Sequence, residues 1–372
     1  MECCYFANMQ LNEIICFLED WAPPALQENY DNSGLLVGNS TGEVTGVLFC
    51  LDCTEAIVDE AVRKGCNLIV AHHPIIFSGL KRLTGSNYIE RTVVSAIKKD
   101  VAIYAMHTNL DNIRTGVNAK IAQRLGLTKT SILAPKTGLL LQLQVYVPTS
   151  SADVVREAMF TAGAGQIGRY EECSFETQGR GTFKAGPGAN PSIGEHDIRH
   201  TESEVCLSVV LPEYLKNTVL RAVRNVHPYE EVAHQFTKLE NVWQDVGSGM
   251  VGDLASPLDF TDFLQLVKAN LNAAVVRYTH QVRTQVQRVA ICGGSGSFLL
   301  EHAKRSKADV YITADYKYHQ FFDADGQISI VDIGHFESEQ FTIELLGERF
   351  RQKFPTFASH LTEIVTNPVH YM

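Results

Sequence analysis

No run of residues in this chain is apolar for the length of a membrane span, and its amino end has no basic stretch leading into an apolar core. Both absences predict a cytoplasmic protein with no membrane partner. Positive charge is in short supply: 32 lysines and arginines stand against 42 aspartates and glutamates, a net charge of −10. That balance argues against broad attraction to nucleic acid or anionic lipid, so nucleic acid is not an expected partner. A disulfide framework is missing too. The nine cysteines are odd in number and mostly sit inside apolar stretches, which fits reduced thiols. Cys50-Leu51-Asp52-Cys53 has redox-motif spacing, but Cys50 falls within an apolar strand, and core packing is its expected role. Gly293-Gly294-Ser295-Gly296-Ser297 has no Walker lysine after it and an incomplete dinucleotide pattern. A tight turn near a cleft is expected there, with phosphate contact at the next helix as the alternative.

The chain does have an ordinary globular composition, 45% hydrophobic and 20% charged, over 372 residues. That length exceeds one comfortable core and predicts two or three domains. The first eight residues read as an upstream extension, with Met9 as the natural start. A helix is expected from Leu11 to Trp21, where Leu11, Ile14, Ile15 and Leu18 recur at helical spacing and Pro23-Pro24 ends the run. Strands are expected at 44–51, 67–71 and 101–107, with helices at 56–64 and 88–99 between them. Such strand–helix–strand units imply parallel pairing with right-handed crossovers. The carboxyl third repeats the grammar: a strand at 287–292, the glycine turn, a helix at 297–307, a strand at 309–313, and a last strand ending at His335.

The middle differs. Strands at 139–147, 204–210 and 234–238, helices at 151–162 and 213–225, and a glycine-rich loop at 179–194 make ferredoxin-like grammar. The expected fold is therefore α/β: two related α/β units, 1–137 and 246–372, forming one di-metal cleft, interrupted by an α+β insert at 138–245. In the insert, His227-Pro228-Tyr229-Glu230-Glu231 reads as a rigid loop, with a metal role as the alternative.

Histidines and carboxylates gather at the carboxyl ends of the predicted strands, where open α/β sheets place their sites. One strand runs into His72-His73-Pro74. Another ends at His107, with Asp111 four residues on; a third ends at His335, with Glu339 four residues on. His335 and Glu339 at i, i+4 share one face of a helix. Asp111 is a candidate ligand with His107 as its orienter. So many imidazoles and carboxylates exceed one tetrahedral site and suit two metals bridged by a carboxylate, for which Glu339 is the natural choice. Such a pair activates a bound hydroxide and clamps a phosphoryl or carbonyl oxygen. Nitrogen-rich donors point to zinc, manganese, iron, cobalt or nickel rather than calcium. Asp315 and His319 follow the strand matching the one before His72 and are expected to face the cleft without ligating, either supporting a ligand from behind or, with His107, assisting proton transfer. Asp31, in Asn29-Tyr30-Asp31-Asn32-Ser33-Gly34, is expected to be structural, with a cleft-lining role as the alternative.

The run of motifs Asp31-Asn32-Ser33-Gly34-Leu35, Ala71-His72-His73-Pro74, His107-Thr108-Asn109-Leu110-Asp111, Gly293-Gly294-Ser295-Gly296 and Gly334-His335-Phe336-Glu337-Ser338-Glu339 closely resembles the NIF-three-like proteins, also called GTP cyclohydrolase type 2 homologues. The middle segment looks like the PII-like insert of the longer members. The resemblance implies two divalent metal ions, zinc favoured, on His72, His73, Asp111, His335 and Glu339, with Glu339 bridging. It also implies a toroidal homohexamer. Thr313-Ala314-Asp315 departs mildly from the family, which usually has a glycine before the aspartate. Two functions are expected to compete: a di-metal hydrolase of a nucleotide- or phosphate-containing small molecule acting through a metal-bound hydroxide, and a metal-binding regulatory scaffold without turnover.

Overall fold

The structure is a computed structural model that describes residues 9–372; the expected extension at 1–8 lies outside the described residues. It is a mixed α/β fold with several sheets, and its chain divides into two compact units. The larger comprises residues 9–134 and 245–372, the smaller residues 135–244. No described helix is long and apolar enough to cross a membrane.

Two sheets carry the larger unit. In the first, strands Ser359–Leu361, Val47–Cys50, Leu68–Ala71, Ala102–Ala105 and Gly34–Val37 lie side by side in that order. All neighbours are parallel except Gly34–Val37, which runs antiparallel to Ala102–Ala105. Every residue of Leu68–Ala71 is buried, as a central parallel strand covered on both faces requires. Fully burying each aliphatic side chain there contributes about 1.5–3 kcal/mol. Helices Glu55–Arg63 and Tyr88–Lys98 make the crossovers. The second helix starts on Asn87, whose side-chain oxygen accepts from the Glu90 amide at 2.9 Å. The predicted helix over 11–21 forms as Leu11–Trp21, burying Leu11, Ile14 and Leu18.

The second sheet has the order Arg277–Tyr278, Ser329–Asp332, Val310–Ala314, Gln285–Ser295, Val242–Asp259, Thr128–Thr137. Its three central strands are parallel. The smaller unit has one antiparallel sheet, His234–Leu239, Leu140–Pro148, Arg199–Pro212, Ser174–Lys184. Helices Ala152–Thr161 and Lys216–Val226 bury Val155, Met159, Val219 and Val223 with Leu143, Val145, Val205 and Leu207 of that sheet.

Several local expectations change. The strand expected over 44–51 is broken into Glu43–Val44 and Val47–Cys50, because Thr45 turns aside to bond Asn67 and the Gly65 carbonyl. Gly293-Gly294-Ser295 is not a turn but the end of strand Gln285–Ser295. The helix expected over 297–307 is a 3₁₀ turn, Ser297–Leu299, followed by the short helix Leu300–Arg305. The first part of the expected glycine-rich loop, 179–184, is the end of strand Ser174–Lys184; at Gly181 a Cβ would lie 2.0 Å from the Glu204 carboxylate across the ladder, so a side chain there would displace it. The long strand Val242–Asp259 has no counterpart in the sequence reading.

The cysteines among the described residues are free thiols, and Cys50 and Cys53 are both buried core residues. Core packing accounts for their spacing.

Candidate metal centre

The parallel strands of the larger unit stop where polar residues begin, and side chains from both sheets meet there. His72 and His73 follow Leu68–Ala71. His107 follows Ala102–Ala105 and opens the short helix Thr108–Asp111, which delivers Asp111. His335 starts the helix His335–Glu339 two residues after Ser329–Asp332, so the i, i+4 pair does share a helix face.

Glu339 sits at the centre with 4% of its side chain exposed. Its Oε2 is 3.0 Å from His73 Nε2, 3.1 Å from His335 Nε2 and 3.8 Å from His72 Nε2. His72 Nε2 is in turn 3.7 Å from Asp111 Oδ1. Ligand atoms of His72, His73 and Glu339 lie within 4.8 Å of one another, the geometry of a group able to share a metal ion. Room for the Glu339 carboxylate comes from Gly294, where a Cβ would lie 2.5 Å from Oε1. That glycine adopts φ +63°, open to it at little cost.

Each imidazole is held from behind. His72 Nδ1 donates to the Met106 carbonyl at 2.7 Å, which leaves Nε2 as the lone-pair nitrogen facing the cluster. His73 Nδ1 donates to Asp52 Oδ1, His107 Nδ1 to Asp31 Oδ1 and His335 Nδ1 to Asp315 Oδ2, each at 2.7 Å. This carboxylate–histidine arrangement fixes ring orientation and tautomer at metal sites.

Of the six buried side-chain atoms without a hydrogen-bond partner among the described residues, two belong to this cluster: His72 Nε2 and Asp111 Oδ1. An orphaned buried acceptor costs about 1–3 kcal/mol, and here two orphans face each other beside a buried carboxylate. A divalent cation would satisfy all three. The donor set, imidazoles and carboxylates, is that of a transition-metal site, and the residues fit such an ion.

The electrostatics agree. Burial would lower the His73 imidazole, but the Asp52 and Glu339 carboxylates outweigh it and push it up to about 10. Burial is likewise overcome at His335, where Asp315 and Glu339 raise it to about 11. Burial would raise Glu339, yet the facing imidazoles of His335, His72 and His73 hold it well below the usual carboxylate range. Asp111 is pushed up to about 7 by burial first and by the Glu339 charge second. Without a metal, then, protons do the work of cations at this cluster.

Not every residue singled out from sequence arrives here. His107 does not orient Asp111; its Nδ1 is turned to Asp31, which also accepts from the Thr108 amide and hydroxyl. Burial would raise Asp31, but His107 and Thr108 draw it down to about 2. Asp315 does arrive: it bonds His335 Nδ1 and so orients that ring, one of the two roles expected of it, and it lines a cavity beside the cluster. His319 lies exposed on the 3₁₀ turn Tyr318–Ala324, against Tyr318 and Phe322, and lines neither cavity beside the cluster.

Two of the glycine-loop amides are taken. Gly293 N–H donates to Asn118 Oδ1 and Gly294 N–H to Ser338 Oγ. His227 of the smaller unit has both ring nitrogens in use, donating from Nε2 to the Tyr146 carbonyl and accepting the Tyr229 amide at Nδ1, so it is no metal ligand.

Two carboxylates at the cluster were not anticipated as histidine partners. Asp52 follows strand Val47–Cys50 and obeys the strand-end rule that picked out the histidines. Asp31 precedes strand Gly34–Val37, whose antiparallel start pairs Gly34 with Ala105, placing it beside the strand end that leads to His107.

Two cavities adjoin the cluster, both touched by His107 and His335. One, of about 620 Å³, is walled by Phe77, Val275, Arg277, Phe336, Asn367 and Tyr371 among others; the other, of about 220 Å³, reaches Asp111, Asn118 and Ser295.

The chain is similar to known proteins over nearly all of its length. The family described as Duf34/NIF3 (NGG1p interacting factor 3) matches residues 9–368. A protein of Halalkalibacterium halodurans named GTP cyclohydrolase 1 type 2 homolog is 38% identical over 360 residues, 96% of each chain. A Bacillus subtilis protein of the same name is 39% identical over 326 residues, 87% of each. Among solved structures, a Bacillus cereus protein related to NIF3 superposes with a TM-score of 0.85 at 35% identity, covering 99% of this chain and 100% of its own.

Proposed function

We propose that this chain, which belongs to the Duf34/NIF3 family, holds two divalent metal ions in its histidine–carboxylate cluster and hydrolyses a nucleotide- or phosphate-containing small molecule there. The observation that carries the reading is the pair of buried, unpartnered ligand atoms, His72 Nε2 and Asp111 Oδ1, beside the buried Glu339 carboxylate. His72, His73, Asp111 and His335 would hold the ions between them, with Glu339 shared. Zinc suits this donor set best; manganese, iron, cobalt and nickel are also compatible.

When bound, the ions supply Lewis-acid polarisation of a substrate oxygen and lower the pKa of water. The chain's own residues do the rest. Asp52 and Asp315 hold His73 and His335 in orientation. Glu339 supplies buried negative charge. His107 is fixed through Nδ1 by Asp31 and lines both cavities, so its Nε2 is placed to hold or pass on a proton. Phe77, Val275 and Phe336 give the cavity beside the cluster an apolar wall.

The curated relatives carry the name of a GTP cyclohydrolase homologue, which places GTP in the test panel. Metal-loaded protein is offered GTP, a phosphodiester and a phosphomonoester, with Glu339→Gln alongside. Turnover of one of them that disappears in the variant is the expected result. One observation favours the alternative, a metal-binding regulatory scaffold without turnover. Arg277 is the lone lysine or arginine lining the larger cavity, and it is already paired with Asp332 and bonded to the Tyr316 carbonyl. Metal-loaded protein that binds a nucleotide and turns over none of the three would establish the scaffold.

The wider organisation follows from the same reading. We take residues 1–137 and 246–372 as two related α/β units forming one di-metal cleft, since each brings histidines from parallel strand ends. Residues 138–245 are a ferredoxin-like, PII-like insert, supported by its strand–helix–strand–strand–helix–strand order. The proposed assembly is a toroidal homohexamer in the cytoplasm, by family resemblance.

A further inference from the structure

Three of the four carboxylate or carbonyl groups that steady the imidazoles belong to their immediate surroundings. The Met106 carbonyl lies at the strand end beside His72, Asp31 is tied down by Thr108, and Asp315 lies on the loop after strand Val310–Ala314. Asp52 is different. Its Oδ1 accepts from His73, and its Oδ2 accepts a hydrogen bond from the Thr366 hydroxyl at 2.7 Å, across 314 residues of sequence.

Thr366 lies in a carboxyl-terminal segment without regular secondary structure. Side-chain bonds anchor that segment. The Thr362 hydroxyl and the Glu363 amide bond Glu60, Thr366 bonds Asp52, and the Asn367 amide group donates to Glu337 at 3.2 Å. Residues Asn367 to Val369 and Tyr371 then form one side of the 620 Å³ cavity.

We propose that Thr366 is a positioning residue for the metal centre: its hydroxyl fixes the Asp52 carboxylate, which orients His73, so the terminal segment that walls the cavity also sets the strength of one metal ligand. The inference rests on the metal-site reading above. The physical argument is geometric. A carboxylate bonded only to the imidazole can rotate about its side-chain torsions and take the ring with it. A second donor on the other oxygen fixes both. Loss of such an outer partner typically weakens metal binding 10–100-fold.

The test uses the full chain with Thr366→Val, which keeps the shape and removes the donor, and Thr366→Ser, which restores it. Zinc affinity is measured by chelator competition. In the zinc-free protein, NMR follows the His73 Nδ1 proton, assigned by its loss in His73→Gln. Thr366→Val is expected to weaken zinc binding about tenfold and to speed solvent exchange of that proton, while Thr366→Ser keeps both near wild type. Rescue by serine separates positioning from packing, and melting curves of both variants confirm that they fold. Zinc affinity and proton exchange unchanged in Thr366→Val would overturn the proposal, with loss of zinc binding in Glu339→Gln leaving the metal reading intact. If wild type binds no zinc, the metal reading fails and the proton measurement alone decides whether Thr366 positions His73.

Discussion

His72 in the larger unit and His227 in the smaller make an instructive pair. Both are buried, and both belong to histidine–proline motifs. At His72 the backbone takes Nδ1, through the Met106 carbonyl, and leaves Nε2 with no partner. At His227 the backbone takes both nitrogens, one by the Tyr146 carbonyl and one by the Tyr229 amide. The difference lies in what remains after the main chain is satisfied. A ring nitrogen left over among carboxylates is able to serve as a ligand; a ring with none left is a strut. The strut has a purpose, since it fixes the loop from which Tyr229 donates its hydroxyl to Glu204 at 2.9 Å.

Four measurements break or sharpen this contrast. The largest effect is expected from zinc itself. At a thousand times its dissociation constant, a ligand that binds only the folded state stabilises it by about 4 kcal/mol. Denaturant unfolding of wild type with and without zinc reads that gain, and His72→Ala is expected to lose most of it. Next, His72→Ala removes a direct ligand and is expected to weaken zinc binding by about 100-fold or more. His227→Ala is expected to leave zinc binding unchanged in the same chelator competition. A comparable loss in both would erase the distinction.

Third, His227→Ala strands the Tyr146 carbonyl and the Tyr229 amide, at a cost of about 1–3 kcal/mol to the smaller unit. One tryptophan lies in each unit, Trp21 and Trp243, so Trp243 fluorescence in a Trp21→Phe background follows the smaller unit. The smallest effect is a pH dependence. Burial holds the His227 imidazole below its ordinary 6.5. The unfolded chain therefore takes up this proton before the folded one does. Stability of the smaller unit should be fully present above pH 6.5 and fall as the pH drops through that value toward the lowered folded pKa. His227→Gln should flatten that decline in Trp243 unfolding curves.

Some of this was legible in the chain and some was not, for physical reasons. Strand ends are local features: an apolar run such as Leu68–Ala71 announces itself, and the residues after parallel strands of one sheet converge because the strands point the same way. That is why His72, His73 and His107 could be picked out on one sheet, and His335 with Glu339 on the other. The same rule misplaces His319, because Asp315 turns into the left-handed region at φ +61° and the following 3₁₀ turn is exposed. Asp52 was hidden behind a cysteine motif. Asp31 depends on an antiparallel edge strand, and Thr366 on a contact 314 residues away, neither of which leaves a local trace. Gly179 and Gly181 suggested a loop where the chain instead uses glycine to pass a strand over the Glu204 side chain.

The central claim is that the buried cluster around Glu339 takes two metal ions. Anomalous X-ray scattering from zinc-soaked crystals at the zinc edge tests it most directly. The account predicts two peaks beside the Glu339 carboxylate, held among His72, His73, Asp111 and His335. A single peak, or zinc bound elsewhere with His72 Nε2 and Asp111 Oδ1 still unpartnered, would contradict it.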